Sequence, residues 1–138
     1  MAGPEVFVDT GFWIAAARKP DAQHERAKAL GKDILKRQAR PVISDMVLAE
    51  VVTFVLKKDG HEAAQKLMDV LEENTTILFV EKAILEDAKS LLRKYWSPRK
   101  ELSLCDATSY VLMRERGIGD LYSFDSGFDG LPDINRIA

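Results

Sequence analysis

Short, wholly apolar runs alternate along this chain with longer segments of helical periodicity. Glu5 to Asp9 carries Val6-Phe7-Val8, as in a strand covered on both faces of a parallel sheet. Phe12 to Ala17 predicts a short helix interrupted near Pro20. Asp21 is placed to cap a helix running to about Gln38, with Ala27, Leu30, Ile34 and Leu35 on its inner face. Pro41 to Ser44 predicts a second strand. The helix from Asp45 to Lys58 is apolar almost all round (Met46, Val47, Leu48, Val51, Val52, Val55, Leu56), which predicts burial. Gly60 stops it, and a helix over His61 to Asn74 follows. Thr76 to Val80 predicts a third strand, Ala83 to Tyr95 a helix, and Ser97-Pro98-Arg99-Lys100 a turn. Ser103 to Arg116 predicts a helix ended by Gly117. Leu121 to Phe124 and Ile134 to Ala138 predict the last two strands, separated by a loop rich in Gly, Asp and Pro. Strands alternating with helices imply a parallel α/β sheet with helices on both faces. No internal repeat, low-complexity tract or linker divides residues 1–138, so one domain is expected.

Composition narrows this little. The chain is 46% apolar and 30% charged, ordinary for a soluble globular domain of 138 residues. A formal charge of −2 does not announce a nucleic-acid binder, although acids spent on a site mask basic residues elsewhere. The single cysteine, Cys105, excludes an internal disulfide and fits a reducing cytoplasm. Met1-Ala2-Gly3-Pro4 leads directly into a strand with no secretion-signal pattern, and no apolar run approaches the roughly 20 residues that span a bilayer. A cytoplasmic protein without a membrane partner is expected.

The candidate chemistry lies in four acids at strand–helix junctions. Asp9 closes the first strand, Glu50 lies in the helix entered from Val42-Ile43-Ser44, Asp106 opens the helix after Leu104-Cys105, and Asp125 follows Leu121-Tyr122-Ser123-Phe124. In a parallel α/β sheet the strands share one carboxyl edge, where crossover helices begin, so these distant acids can meet in one pocket. Carboxylates crowded together repel unless a hard cation neutralises them, and the set therefore reads as a Mg²⁺ or Mn²⁺ site.

Each acid also has a plainer reading. Asp9-Thr10 fits a turn or helix cap; a haloacid-dehalogenase site would need a second Asp where this chain has Gly11. Glu50 has Met46, Val47, Thr53 and Phe54 as helical neighbours, so its charge calls for a metal or a basic partner. Ser103 and Asp106 have capping-box spacing, which also puts the carboxylate at the helix mouth. Asp125 ranks before Asp129, a reserve or water-mediated ligand, while Ser123 and Thr10 are hydroxyls placed to orient the acids. Asp45 reads as a cap of its own helix, and His24 and His61 as surface helix residues rather than an acid–base pair.

In order and context, these motifs resemble the PIN-domain nucleases, most closely the VapC-type toxins of toxin–antitoxin pairs. The resemblance runs through Val8-Asp9-Thr10, Asp21 to Ala27, Ile43 to Val51, Leu102 to Ala107 and Tyr122 to Asp129. It implies a three-layer α/β/α fold with a mostly parallel five-stranded sheet in the order 3-2-1-4-5. It implies that Asp9, Glu50, Asp106 and Asp125 form a catalytic quartet binding Mg²⁺ or Mn²⁺, which hydrolyses RNA to a 5′-phosphate and a 3′-hydroxyl. It further implies a homodimer and an inhibitory antitoxin. The chain departs from the family pattern in its bulky Phe12-Trp13 pair and in Cys105, where a small polar residue is common.

The expected partners are thus an RNA substrate, an antitoxin and a second copy of the chain. Phe12, Trp13 and Ile14 are hard to bury together in one short helix, which predicts an apolar groove for the antitoxin. Candidate RNA contacts are Lys28, Lys32, Lys36, Arg37, Arg40, Lys57-Lys58, Arg93-Lys94 and Arg99-Lys100, although a charge stripe is usually a solvated helix face. A phosphorylated receiver domain is disfavoured, because the third strand runs into Glu81-Lys82 and the first strand lacks an acidic pair after it. The alternative is a catalytically silent PIN-like module that binds RNA or protein without turnover.

Overall fold

The computed structural model describes residues 3–96 and 102–138, so the expected turn at Ser97–Lys100 lies outside the described residues. In chain order the elements are β1 (Glu5–Val8), α1 (Thr10–Ala17), α2 (His24–Lys36), β2 (Arg40–Ser44), α3 (Asp45–Asp59) and α4 (His61–Asn74). They continue with β3 (Thr76–Leu78), α5 (Lys82–Tyr95), α6 (Leu104–Arg116), β4 (Asp120–Tyr122), a single 3₁₀ turn at Ser126–Phe128, and β5 (Asn135–Ile137). The strands form one sheet in the order β3-β2-β1-β4-β5, and every pairing is parallel. The expected architecture and strand order are both found.

The apolar run of β1 works because successive side chains leave opposite faces of the sheet. Val6 and Val8 pack with Phe12, Ala15, Ala27, Leu30 and Ile34 from α1 and α2. Phe7 points the other way, into the larger core with Val47, Val51, Leu71, Ala88 and Met113 from α3 to α6. β1 is therefore buried on both faces, with Val6, Phe7 and Val8 fully inaccessible. β1 connects to β2 on one side and pairs with β4 on the other, and at its carboxyl end this strand order opens the crevice that α/β sheets use for ligands.

Several local expectations are corrected. Gln23, not Asp21, precedes α2; Asp21 Oδ1 instead accepts the Gln23 N–H at 2.8 Å in an Asx turn. Leu35 is 78% exposed, since Ala27, Leu30 and Ile34 already occupy the inner stripe and the next residue turns about 100° away. α3 is buried along Val47, Val51 and Val55 only, and Leu56 reaches solvent. Its cap is Ser44, whose Oγ accepts the Val47 N–H at 3.1 Å. β3 stops at Leu78 because its partner β2 ends opposite it at Ser44, and Asp45 accepts from both Met46 N and Val80 N just beyond the ladder. His24 is half-buried, its Nδ1 2.7 Å from the Ala15 carbonyl oxygen, so it ties α2 to α1.

The basic stripe also changes meaning. Arg37 donates to Asp120 Oδ2 at 2.7 Å and to the Tyr122 hydroxyl at 2.6 Å, and Tyr122 donates to Asp33 Oδ2 at 2.9 Å. Arg40 opens β2 and donates to the Gly3 carbonyl. Both arginines lie towards the amino edge of the sheet, away from the carboxyl edge that carries the acids, and both serve the fold.

Candidate active site

At the carboxyl edge of β1 and β4, one open pocket of about 860 Å³ is lined by Asp9, Glu50, Asp106 and Asp125, together with Thr10, Gly11 and Ser103. The four acids arrive from four separate elements. Asp9 follows β1, and its backbone N–H bonds to the Tyr122 carbonyl at 3.0 Å, continuing the ladder one step. Glu50 is in the second turn of α3. Asp106 is the third residue of α6, and Asp125 follows β4 by three residues.

Hydroxyls hold the acids in place. Ser123, fully buried, donates to Asp9 Oδ2 at 2.8 Å, while its Oγ accepts the Asp125 N–H at 3.0 Å. One serine thus links the residues that follow β1 and β4. Thr10 Oγ1 donates to Glu50 Oε2 at 3.1 Å. The capping box is complete: Ser103 Oγ accepts the Asp106 N–H at 3.0 Å, and Asp106 Oδ2 accepts the Ser103 N–H at 3.2 Å. Asp106 therefore caps its helix and faces the pocket at once. Asp125 Oδ1 accepts the Gly127 N–H at 2.8 Å and shapes the 3₁₀ turn.

Electrostatics records the crowding. Burial raises the Asp9 carboxyl above the usual range, with a further push from Asp125 and Glu50, against the opposing hydrogen bonds from Ser123 and Thr10. Asp106 is pushed up to about 7, first by burial and then by the charge of Asp9, against the opposing bonds to Ser103. Cys105 lies at the same helix mouth; burial raises its thiol well above normal, reinforced by Glu50, Asp106 and Asp9, so it is an inert thiol rather than a nucleophile.

The acids share a pocket without forming a ready-made cage: among the described residues, no three His, Cys, Asp or Glu side chains converge tightly enough to enclose an ion. That arrangement still suits Mg²⁺, which keeps several waters and takes only a few direct carboxylates. Acidic oxygen donors alone, two of them buried and holding their protons more tightly than free carboxyls, are the donor set a hard divalent cation needs.

Other expectations sort differently. Glu50 is exposed, so its charge is solvated and needs no basic partner to survive. Asp129 is held by Arg136 through two bonds of 2.8 and 3.0 Å and does not line the pocket. Phe12 is buried, and Trp13 is half-buried with its indole N–H donating to the Val8 carbonyl at 3.2 Å, so these two complete the core. Ile14 alone of that trio lines an apolar groove of about 480 Å³, with Ala49, Glu50, Thr53, Phe54 and Lys57. Sequence reasoning missed the pocket's apolar wall of Leu92, Trp96, Leu102 and Leu104. The spacing of Leu92 and Trp96, one helical turn apart at the end of α5, was the signal for it.

With this geometry in hand, the class is clear: the chain belongs to the PIN domain family, whose model matches residues 6–134. It is 34% identical over 126 residues to the 23S rRNA-specific endonuclease VapC20 of Mycobacterium tuberculosis, covering 89% of this chain and 91% of the relative. It is 31% identical over 113 residues to ribonuclease VapC13 of the same organism, covering 81% and 83%. The crystal structure of M. tuberculosis VapC20, described as a sarcin–ricin loop cleaving toxin, superposes with a TM-score of 0.81 at 31% identity, covering 94% of this chain and 96% of that one. VapBC2 of Rickettsia felis, solved on a promoter DNA fragment, gives a TM-score of 0.71 at 15% identity, covering 96% and 97%, a likeness of fold. The expectation of a VapC-type nuclease agrees with these relationships.

Proposed function

We propose that this protein is a divalent-metal-dependent endoribonuclease, the toxin of a VapBC-type pair. The observation that carries this reading is the meeting of Asp9, Glu50, Asp106 and Asp125, from four distant points in the sequence, in one pocket at the carboxyl edge. Asp9, Glu50, Asp106 and Asp125 would hold Mg²⁺ or Mn²⁺. When bound, such a cation supplies Lewis acidity towards water and phosphate, so no histidine base is required.

The residues themselves set up the reaction. Ser123 and the Thr10 backbone hold the Asp9 carboxyl at the pocket wall. Thr10 steadies the long Glu50 side chain, reducing the rotamer freedom it would lose on loading. Asp106, its carboxyl pushed up to about 7, would have to release its proton to hold a cation, which would couple metal affinity to pH. The open mouth would admit a polymer strand with a phosphodiester facing the acids; water adding in line to phosphorus, with the P–O3′ bond breaking and O3′ taking up a proton, would leave a 5′-phosphate and a 3′-hydroxyl.

Ribosomal RNA is the first substrate to try, given the relatives. The groove beside Glu50, lined by Ile14, Ala49, Thr53 and Phe54, suits an apolar antitoxin segment. Support for such a partner comes from neighbours solved as toxin–antitoxin assemblies. We also retain the homodimer as part of this reading.

The test is incubation of purified, inhibitor-free protein with 23S rRNA and a panel of structured RNAs. Cleavage with Mn²⁺ that stops with chelator is expected. Retention of RNA without cleavage under any divalent metal would favour the silent module.

A further inference from the structure

One wall of the carboxylate pocket carries a side chain that metal binding does not use. Trp96, directly after α5, lines the same pocket as Asp9 and Asp106, yet its residue is 69% exposed. Leu92 lies one turn earlier on the same wall, and Leu102 and Leu104 complete it. Leu104 is itself 36% exposed, so an apolar shoulder stands open beside an acidic floor. The opposite wall differs: Phe124 is half-buried and stacks inward on Phe12, with centroids 6.0 Å apart and planes 17° from parallel. Its ring is already partnered. Trp96 has no ring contact among the described residues.

An indole left in water next to buried carboxylates is a poor way to complete a core, and the fold does not need it there. A group stacked on the pocket side of Trp96 shares that space with the acids. A polymer that offers a phosphate to that floor carries a flat, apolar base on either side of the phosphate, and bases stack on aromatic rings irrespective of sequence. Arg93 and Lys94, both exposed, belong to the same last turn of α5, with Lys94 Nζ lying 5.4 Å from the centre of the Tyr95 ring. Aromatic ring and acidic floor together match a single-stranded nucleic acid better than an apolar protein segment, for which the adjoining groove at Ile14 and Phe54, on the far side of Thr10 and Glu50, is the more apolar surface.

We propose that Trp96 is a positioning residue that stacks on a nucleobase next to the scissile phosphate and so sets the substrate in register over the four acids. This inference rests on the ribonuclease reading. It adds that the cut requires an unpaired or splayed base beside the reacting bond, because a base inside a duplex cannot lie on the indole.

The test uses single-stranded RNA 20-mers of randomised sequence and a sarcin–ricin hairpin as probes, with the cleavage site first mapped for the wild type in Mn²⁺. Trp96→Ala, Trp96→Phe and Trp96→Leu are then compared by initial rates. Binding is read separately by anisotropy of labelled RNA with Ca²⁺ replacing Mn²⁺. The alanine variant should raise KM and weaken binding about tenfold or more, with kcat changed less and the melting temperature unmoved. Phenylalanine should restore most of the loss and leucine should not. An abasic nucleotide beside the mapped bond should abolish the difference between wild type and Trp96→Ala. Equal rescue by leucine, or an unchanged KM in Trp96→Ala, would overturn the stacking role while leaving the nuclease intact. Loss of dimer or antitoxin binding without any change in KM would reassign the shoulder to a protein contact. A wild type that neither cuts nor binds any probe removes the ribonuclease reading, and Trp96's role with it.

Discussion

Replacing Asp106 by Asn should stabilise the metal-free protein at alkaline pH while abolishing cleavage. Asp106 is buried, and its carboxyl is pushed up to about 7 by burial and by Asp9. In the unfolded chain an aspartate titrates near ~3.9. Between these values the folded state binds the extra proton, so stability must fall as pH rises from about 4 to about 7 and level off above it. The full separation corresponds to roughly 4 kcal/mol as a ceiling. Coupling to Asp9 and adjustment of the open pocket reduce that to about 1–3 kcal/mol for this residue. Asparagine is neutral throughout and keeps an oxygen for the Ser103 N–H, so the capping box survives. Urea unfolding with chelator at pH 5 and pH 8 is the assay. The margin of the variant over the wild type should widen by about 1–3 kcal/mol between pH 5 and pH 8, which appears as a shallower pH slope. A variant less stable than wild type at pH 8, with the slope unchanged, would refute the claim that crowding and burial burden this carboxylate.

Glu50→Gln should leave stability within about 0.5 kcal/mol, because the side chain is exposed and the amide oxygen can still accept from Thr10. Its cleavage rate should drop by about a hundredfold or more, and a thermal melt beside a cleavage assay checks both. Ser123→Ala should be the reverse case, a structural lesion that reaches the site. It strips Asp9 of a donor and leaves the Asp125 N–H without its acceptor, at about 1–3 kcal/mol in urea unfolding. A fall of roughly ten- to a hundredfold in Mn²⁺ affinity should accompany it, and unaltered affinity would show that Asp9 needs no such support.

The sequence made the sheet and the acids legible for the same reason. Val6-Phe7-Val8 has no polar face, so β1 had to lie inside a covered sheet, and parallel strands bring their carboxyl ends to one edge. Asp9, Asp106 and Asp125 follow from that geometry directly. Glu50 does line the pocket, but not as a buried charge: its apolar helical neighbours suggest burial, whereas α3 turns that face towards an open mouth where water solvates it. Arg37 and Asp129 illustrate what a linear reading cannot supply. Their partners, Asp120 with Tyr122 and Arg136, are set by tertiary packing and not by spacing. The groove suffered likewise, since only the orientation of α1 decides that Trp13 turns inward and Ile14 outward. The spacing of Leu92 and Trp96 marks an apolar edge at the end of α5, but only the packing of the start of α6 beside it turns that edge into a wall of the acid pocket.

The claim on which all of this depends is that four carboxylates from separate elements act as one divalent-cation site. Calorimetric titration of Mn²⁺ into wild type and Asp9→Asn at pH 8 tests it most directly, since Asp9 is the buried acid tied to Ser123 at the junction of β1 and β4. The account predicts saturable binding by the wild type and a loss of about tenfold or more in the folded variant. Equal binding by the two proteins, or no binding by the wild type, would contradict it.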